Sequence, residues 1–331
     1  MKKSIVLAVA VAMSFALLAC GGEKKSKMTL KLAHFGSEAS PAQTAAKQFA
    51  DNVKKRTNGD IEIIVYPNNT LGGPPQILEQ VLLGAIDMSL SGQDQIAKHV
   101  PLFDTVAIPF SISGYEHMDR VLDGPFKEWA APELLKKGAV MLSSWEWGFR
   151  NFTNSKRRIL KPDDMKGLKI RTPPAMAYSA TMEALGANVQ TIDFSELVMA
   201  MRQGVVDGEE NPIGTIYDLK LYEVQKYISV VNYLYSSMVH LVNVNVWKKL
   251  TPEQQKIITE ESASAATLMR KLTRDAEKSQ LADMVKKGNV VDYPDLKPFQ
   301  DKMGPAYEKI KKNVGEENFN KWMKMAKDMA K

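Results

Sequence analysis

The sequence predicts an α/β protein made of two similar lobes that enclose a cleft. Three observations in this chain of 331 residues support that fold class. From residue 28 onward, short β-rich runs alternate with amphipathic helical runs, and glycine or proline separates them. Two stretches that end at Asp87 and Asp207 share one helix–glycine–strand pattern. Between Pro252 and Gly288 no proline or glycine interrupts a helical run that is longer than one domain is wide.

The chain start predicts export. Lys2 and Lys3 precede an uncharged stretch that has the length of a signal-peptide core and is too short to anchor comfortably in a bilayer. It leads into the only cysteine of the chain, Cys20, in a context that resembles a bacterial lipobox. We therefore expect residues 1–19 to be a signal peptide and 20–27 a lipidated tether. The alternatives are an uncleaved hydrophobic tail or an ordinary signal peptide.

The first predicted elements follow a strand–helix–strand order. Leu30 to Phe35 is predicted to form a strand. Ser40 is placed to cap a helix that has Pro41 in its first position. Asn58 and Gly59 end that helix, and Ile61 to Tyr66 is short and β-rich, as in a buried parallel strand. One face of the helix is apolar, with Ala42, Ala45, Ala46, Phe49, Ala50 and Val53.

The repeated pattern indicates two lobes of like design. Residues 77–87 and 197–207 each read as an amphipathic helix closed by a glycine and followed by a short apolar strand that ends in aspartate. The separation is too large for a solenoid repeat and suits two α/β units. Two such units imply a cleft between them.

Two further segments are predicted to join the lobes. Residues 145–149 form a long strand with a glycine break at Gly148, which suits a crossover. Thr251 and Gln254 make a capping box, with Pro252 in the first helical position. We expect the helix that follows to lie across both lobes; a coiled-coil partner helix is the alternative, although its heptads are poor.

Ligands of open α/β sheets bind beyond the carboxyl ends of strands, where helices begin. Prolines mark such junctions at Ser40-Pro41, Gly73-Pro74, Thr172-Pro173 and Asn211-Pro212. Arg171 and Asn211 precede two of them, and a guanidinium at that place can hold a carboxylate with two hydrogen bonds. Arg171 could instead pair with Asp193 or Glu196 of the protein itself. Arg150, after the crossover strand, is a second candidate.

The sequence carries no pattern typical of catalysis, metal binding or nucleotide binding. The four histidines are far apart, and neither a glycine-rich phosphate loop nor a nucleophile elbow is present. Glu209 and Glu210 lie in a segment rich in turn residues, which favours a solvated acidic loop. The basic run 156–158 lacks the aromatic residues of a nucleic-acid groove. We therefore expect no enzyme activity, no cofactor, no metal and no nucleic-acid partner.

Several blocks of the sequence, taken in order, resemble one protein family. The blocks are Leu32 to His34, Ile61 to Leu71, Gly84 to Asp87, Arg150 to Asn154, Met165 to Arg171, Val206 to Pro212 and Tyr222 to Lys226. They resemble the substrate-binding proteins of tripartite ATP-independent periplasmic (TRAP) transporters, of the C4-dicarboxylate-binding type. The resemblance covers nearly the whole chain after the predicted tether.

The resemblance implies a two-lobed fold like that of periplasmic binding proteins, with hinge strands and a long helix spanning both lobes. Lobe I is expected to comprise 28–146 and 237–276, and lobe II 147–236 and 277–331. The resemblance also implies a monomeric, extracytoplasmic receptor that closes on a small organic acid. Its partner would be a membrane permease of two unequal subunits driven by an ion gradient. A receptor for a membrane sensor, with the same kind of pocket, is the alternative.

The resemblance also assigns site residues. Arg171 corresponds to the arginine that pairs with the ligand carboxylate, Arg150 to a second arginine, Asn211 to a pocket asparagine and Phe194 to a pocket aromatic. The first lobe is expected to add polar groups near Ser91, Gln93 and Asp94, with His34 and Glu38. Apart from the resemblance, Trp145, Trp147 and Tyr235 would suit a ring, and the alternative for the two tryptophans is a place in the core. We expect a sugar acid such as a uronate, or another hydroxylated or ring-bearing monocarboxylate; a C4-dicarboxylate is the alternative.

Overall fold

The computed structural model describes residues 27–330 of the chain. The predicted signal peptide and Cys20 lie outside the described residues. The described part is a mixed α/β structure around one large sheet with the strand order β2-β1-β3-β9-β4-β7-β5-β6. Two further strands attach at one side, since β8 pairs with β4 and β10 pairs with β8. The strands are β1 Met28–His34, β2 Ile61–Tyr66, β3 Met88–Gly92, β4 Ala139–Asn154, β5 Lys169–Thr172, β6 Asn188–Thr191, β7 Gly208–Pro212, β8 Tyr227–Ser229, β9 Tyr235–Asn243 and β10 Val290–Asp292.

Helices cover the sheet. They are α1 Pro41–Arg56, α2 Pro74–Leu83, α3 Gln93–Ala97, α4 Tyr115–Val121, α5 Lys127–Lys136, α6 Met176–Ala184, α7 Leu197–Arg202, α8 Ile213–Asp218, α9 Val244–Trp247, α10 Pro252–Lys286, α11 Lys297–Asp301, α12 Gly304–Val314 and α13 Glu316–Asp328. Short 3₁₀ turns lie at Pro101–Ala107, Pro162–Met165, Phe194–Glu196 and Leu221–Glu223, and a π turn at Leu122–Phe126. No helix between residues 27 and 330 combines the length and apolar character that crossing a bilayer requires.

The predicted strand–helix–strand start is confirmed. The Ser40 side chain accepts a hydrogen bond from the Gln43 amide and caps α1, with Pro41 at its first position. All six predicted face residues are buried against the sheet. β2 pairs with β1 in parallel along its whole length, as a strand on the far side of a crossover helix should.

The repeated pattern is confirmed in its helices and glycines but wrong in its strands. Gly84 and Gly204 are both left-handed, with φ of 83° and 68°, and each follows the end of its helix. The strands, however, begin after the aspartates, at Met88 and Gly208. Each aspartate side chain instead accepts a hydrogen bond from the first part of a neighbouring strand.

These two aspartates make the same contact in the two halves of the sheet. Asp87 Oδ2 accepts from the Lys31 amide of β1 at 2.8 Å, and Asp207 Oδ2 accepts from the Lys169 amide of β5 at 3.0 Å. The carboxylate therefore satisfies a strand amide that lies just before the start of the neighbouring strand, β3 or β7. This shared local contact explains why the sequence pattern recurs.

The crossover strand is confirmed as β4. Its first part pairs with β9, which lies between β3 and β4. Its last part pairs with β7 and β8. The pairing with β9 shifts register between Glu146 and Gly148, where Gly148 has a φ of 120°. A side chain at Gly148 would also lie 3.2 Å from Pro212 Cβ, so glycine is required there for two reasons.

The long helix is confirmed as α10, 35 residues capped by Thr251 and its box partner Gln254. It packs on α1 and β4 and further along on α8 and β10, so it bridges the two halves of the sheet. Arg274 of this helix pairs with Asp119 at 2.7 Å and with Glu146 of β4 at 2.6 Å. These contacts explain why α10 needs no coiled-coil partner.

Candidate functional site

A cavity lies where the two halves of the sheet face each other. Strand ends supply most of its walls, because the carboxyl ends of parallel strands meet at one edge of a sheet. Its lining comes from both halves and consists of Phe35, Pro74, Gly92, Asp94, Gln95, Trp147, Arg150, Arg171, Pro173, Phe194, Asn211, Ser236 and Ser237.

Arg171, on β5, is a buried charged residue of the cavity that has no salt bridge in the described part of the chain. The residue is 1% exposed, and its Nε donates to the Ile192 carbonyl at 2.8 Å. Its Nη2 has no hydrogen-bond partner, and no salt bridge joins it to Asp193 or Glu196, within residues 27–330. Burial lowers the pKa of Arg171 to about 10. The guanidinium is therefore still charged at neutral pH and has a donor aimed at no protein acceptor.

Arg150, on β4, is charged and already paired. Its Nη2 donates to Glu210 Oε1 at 2.9 Å, its Nε donates to Glu210 Oε2, and its Nη1 lies 3.3 Å from the Ser236 hydroxyl. Tyr233 donates a third hydrogen bond to the Glu210 carboxylate. Burial alone would lower the pKa of Arg150, but the charge and hydrogen bonds of Glu210 raise it above its ordinary value.

The prediction of a solvated loop at Glu209 and Glu210 is wrong. Both side chains are 0% exposed, because these residues form the middle of β7 between β4 and β5. Turn-forming neighbours on either side of a five-residue strand concealed it in the sequence. Glu210 neutralises Arg150, whereas Glu209 lies on the opposite face of the strand.

Glu209 binds the side chain of Asn211. Its Oε1 accepts from the Thr153 hydroxyl at 2.9 Å, and its Oε2 accepts from Asn211 Nδ2. Burial raises the pKa of Glu209 to about 7. Since the amide nitrogen of Asn211 is engaged, its Oδ1 is left without a donor in the described part of the chain.

The opposite wall carries acceptor oxygens. Asp94, half-buried at the start of α3, lines the cavity and accepts a hydrogen bond from Gln95 Nε2 at 2.5 Å. The Oε1 of Gln95 is buried and has no partner among the residues that the structure describes. The charge of Asp94 acts on Arg171 across the cavity. This wall suits hydroxyl groups, which can donate to these oxygens.

Three aromatic rings close one side of the cavity. Phe35 packs on Trp147 at 4.9 Å and on Phe194 at 5.4 Å between ring centroids, and Trp147 lies 6.2 Å from Phe194. The cavity is small, about 40 Å³ in volume. An acidic ligand with an apolar ring face or carbon chain would contact these rings.

The structure places six of the predicted site residues away from the cavity lining, and one of them, Ser91, contacts the Ser89 hydroxyl at 2.8 Å. Trp145 is buried in the core, where its Nε1 donates to the Ser143 hydroxyl at 3.0 Å. Tyr235 points its hydroxyl at Glu146 at 3.2 Å, on the side of α10. His34 is buried and bonded to Gln43 at 2.9 Å, and Glu38 is exposed beside it. Gln93 supports the wall from behind, through Ser237 Oγ at 2.6 Å.

The cavity also uses residues that the sequence interpretation missed. Phe35 and Gln95 follow the ends of β1 and β3, so the rule that ligands bind at strand ends could have identified them. Ser236 and Ser237 belong to β9, which is antiparallel to its neighbours, and no local signal marks them. No group of three or more His, Cys, Asp or Glu within residues 27–330 is arranged to hold a metal ion.

Comparisons with known proteins agree with this geometry. Residues 32–313 match the family described as bacterial extracellular solute-binding protein, family 7 (DctP). One relative is the 2,3-diketo-L-gulonate-binding periplasmic protein YiaO of Escherichia coli. It is 31% identical over 283 residues, which are 84% of this chain and 86% of YiaO.

Three similar solved structures hold organic acids. The sugar acid binding protein DctPAm of Advenella mimigardefordensis, with galactonate, has a TM-score of 0.88 and 29% identity and covers 92% of this chain and 99% of its own. A TRAP solute-binding protein of Sulfitobacter, with β-D-galacturonate, has a TM-score of 0.87 and 27% identity, covering 91% and 99%. One from Sulfurospirillum deleyianum, with succinate, has a TM-score of 0.84 and 28% identity, covering 90% and 98%.

Proposed function

Because the chain belongs to family 7 of the bacterial extracellular solute-binding proteins, we propose that it captures a sugar acid or a similar hydroxylated monocarboxylate. The protein is a receptor of a TRAP transporter and works with membrane permease subunits. The ligand carboxylate binds Arg171, and Arg150, Asn211, Phe194 and Trp147 complete the pocket. The receptor acts as a monomer, and the permease has two unequal subunits that use an ion gradient.

One observation carries the proposal: a buried guanidinium with an unpartnered Nη2 lines a small cavity between the two halves of the sheet. A charge is stable in a dry site only when it is paired and hydrogen-bonded. A ligand carboxylate supplies both at once, and the planar fork of an arginine matches its two oxygens. The cavity therefore fits an organic anion better than a neutral sugar.

The remaining polar groups favour one carboxylate and several hydroxyls. Arg150 is neutralised by Glu210, so a second ligand carboxylate would find no uncompensated cation beside Arg171. On the opposite wall, it would also meet the Asp94 carboxylate, and like charges in a site of low dielectric repel. Hydroxyl groups instead donate to Asp94, Gln95 Oε1 and Asn211 Oδ1.

A C4-dicarboxylate is the second candidate, and one observation favours it. Arg150 lines the cavity, and its Nη1 makes one hydrogen bond within the described residues, at 3.3 Å to the Ser236 hydroxyl. A second carboxylate could displace that weak contact. The succinate-bound neighbour supports keeping this candidate in the test.

Ligand-dependent melting tests the two candidates directly. We expect D-galactonate, D-gluconate or D-galacturonate at about 1 mM to raise the melting temperature more than succinate does. A ligand present at about a hundred times its dissociation constant adds about 2.7 kcal/mol to the free energy of unfolding. A large shift with succinate and none with the three sugar acids would replace the first candidate by the second. Recovery of the bound acid unchanged would agree with a receptor that does not turn over its ligand.

Ligand capture is proposed to close lobe I, 28–146 with 237–276, on lobe II, 147–236 with 277–331. The register shift in β4 at Glu146 and Gly148, beside the lobe boundary, supports a hinge there. The rings of Phe35 and Phe194 are in contact across the cleft, which supports the interpretation that the structure is that of the closed form. The radius of gyration in solution should fall when a ligand identified by melting is added; an unchanged radius would contradict closure.

Lipid anchoring at Cys20 remains part of the proposal, since the lipobox-like context is its support. The expected result is that the expressed protein partitions with membranes and that Cys20→Ser releases it into the soluble periplasmic fraction. Mass spectrometry of the mature N-terminus supplies the second readout, through a diacylglyceryl modification. An unmodified N-terminus, or equal fractionation of wild type and Cys20→Ser, would contradict lipidation and indicate an ordinary signal peptide.

A further inference from the structure

We propose that Glu209, which does not line the cavity, makes this receptor select acids that carry a hydroxyl group beside the carboxylate over the corresponding keto acids. It does so by holding the Asn211 side chain in one orientation. The inference rests on the proposed capture of an organic acid by Arg171 and adds a positioning residue and a narrower ligand class.

The orientation of Asn211 follows from hydrogen-bond chemistry. Above its pKa of about 7, the Glu209 carboxylate is ionised and only accepts hydrogen bonds, so the atom of Asn211 that contacts Glu209 Oε2 is the amide nitrogen. The Thr153 hydroxyl donates to the other carboxylate oxygen at 2.9 Å and keeps the carboxylate in place. Glu209 is 0% exposed, so water does not compete for these bonds.

The consequence appears on the cavity side. Asn211 lines the cavity and is 1% exposed, and its Oδ1 accepts no hydrogen bond from residues 27–330. The site therefore presents a buried acceptor that only a donor group can satisfy. A ligand hydroxyl donates to it, whereas a keto oxygen in the same place would set two acceptors against each other.

Strand register places this acceptor next to the carboxylate site. Arg171 of β5 is the register partner of Glu209 in β7, and Asn211 is two residues further along, on the same face of the strand. The backbones of Arg171 and Asn211 are separated by one repeat of the pleat along the strand and one strand spacing across the sheet, roughly 8 Å in all. A ligand whose carboxylate binds Arg171 thus has its adjacent carbon within reach of Asn211 Oδ1.

The two hydrogen bonds of the Glu209 carboxylate differ in kind from the ion pair between Arg150 and Glu210. Glu210 neutralises a cation, but Glu209 has no cationic partner within 4.0 Å in the described part of the chain. Its hydrogen bonds come from two neutral donors, and the charge of Arg150 acts on it only from a distance. A fully buried carboxylate without a cationic partner lowers the stability of the fold. Orienting Asn211 is a function that would explain why Glu209 is present.

The test compares two four-carbon acids that differ only at C2 and are too short to form a cyclic hemiketal, D-erythronate and (R)-3,4-dihydroxy-2-oxobutanoate, by titration calorimetry at about pH 8. Wild type should bind D-erythronate about 10-fold to 100-fold more tightly, which is the usual effect of one unpaired buried polar group. In Glu209→Gln the preference should fall to about 3-fold or less. A glutamine side chain can donate or accept, so Asn211 is free to turn and offer its amide nitrogen to the keto oxygen.

Glu133→Gln is the matched control, because it makes the same chemical change at an exposed residue paired with Lys136, and it should keep the full preference. Thr153→Val, which removes one donor to Glu209, covers the case in which Glu209→Gln does not fold, and it should weaken the preference in the same direction. A general structural role of Glu209 would lower both affinities together and leave their ratio unchanged. Equal affinity of wild type for both acids, or an unaltered ratio in the folded variants, would overturn the inference while leaving the receptor function intact. Binding of neither acid by wild type would instead reject the sugar-acid proposal, and this inference with it.

Discussion

Arg171→Ala is expected to weaken binding of the sugar acid by about 30-fold to 1000-fold, or about 2 to 4 kcal/mol. The substitution removes a charge-assisted contact with two hydrogen bonds from a cavity that excludes water. The effect is large because Arg171 has no compensating salt bridge of its own within residues 27–330. Titration calorimetry with the best ligand from the melting screen measures it.

Two variants make the Arg171 result specific. Arg158→Ala removes an arginine whose side chain is 55% exposed and paired with Asp292, and its affinity should match wild type. Arg171→Lys should also bind poorly, because one ammonium group does not reproduce the planar fork. The ligand-free melting temperature of each variant checks that it is folded. Wild-type affinity in folded Arg171→Ala would remove Arg171 from the site and leave only the family membership.

Glu210→Gln is expected to lower the free energy of unfolding by about 3 kcal/mol. The variant leaves the fully buried Arg150 guanidinium without its counter-charge, and breaking a buried pair on one side typically has this effect. In a protein of this size the melting temperature should fall by roughly 5 to 10 °C. Thermal unfolding of the ligand-free protein, followed by circular dichroism, measures the change.

The double variant Arg150→Gln with Glu210→Gln should recover part of that loss, since it removes both charges together. Glu133→Gln breaks an exposed pair with Lys136 and should change the melting temperature by no more than about 2 °C. Should Glu210→Gln melt within that range, the pair would not be buried in solution as described. The cavity would then hold two uncompensated arginines, and a dicarboxylate would become the better ligand.

The predictions from sequence succeeded where a local signal is strong. Ser40, Pro41 and the apolar face of α1 agree with the structure because capping and helical periodicity act within a few residues. The same holds for α10, where Thr251 and Gln254 mark the start and no glycine or proline follows. They failed at Thr172-Pro173, where the helix begins only at Met176, because a second proline delays it.

The candidate site residues also differ in whether a local sequence signal marks them. Arg171 and Asn211 stand directly before Pro-marked junctions, and both line the cavity. Trp145 and Tyr235 were predicted from their chemistry alone, and the structure places both away from it. Residues of β4 and β9 alternate between the two faces of the sheet, and the register shift at Glu146 and Gly148 alters which face each one takes. The sequence marks the glycine at this place, but it does not show that the register changes there.

By itself, the sequence determined the class of the protein: two α/β units, a crossover strand, a long bridging helix and an arginine at a strand end. These features depend on short-range patterns, and the family blocks add their order. Only the tertiary structure decided which charges remain available to a ligand. Arg150 and Arg171 look alike in the sequence, but β7 brings Glu210 against the first and leaves the second without a counter-charge. Pairing of charges depends on which strands are neighbours, and contacts between residues about 40 to 60 positions apart set that order.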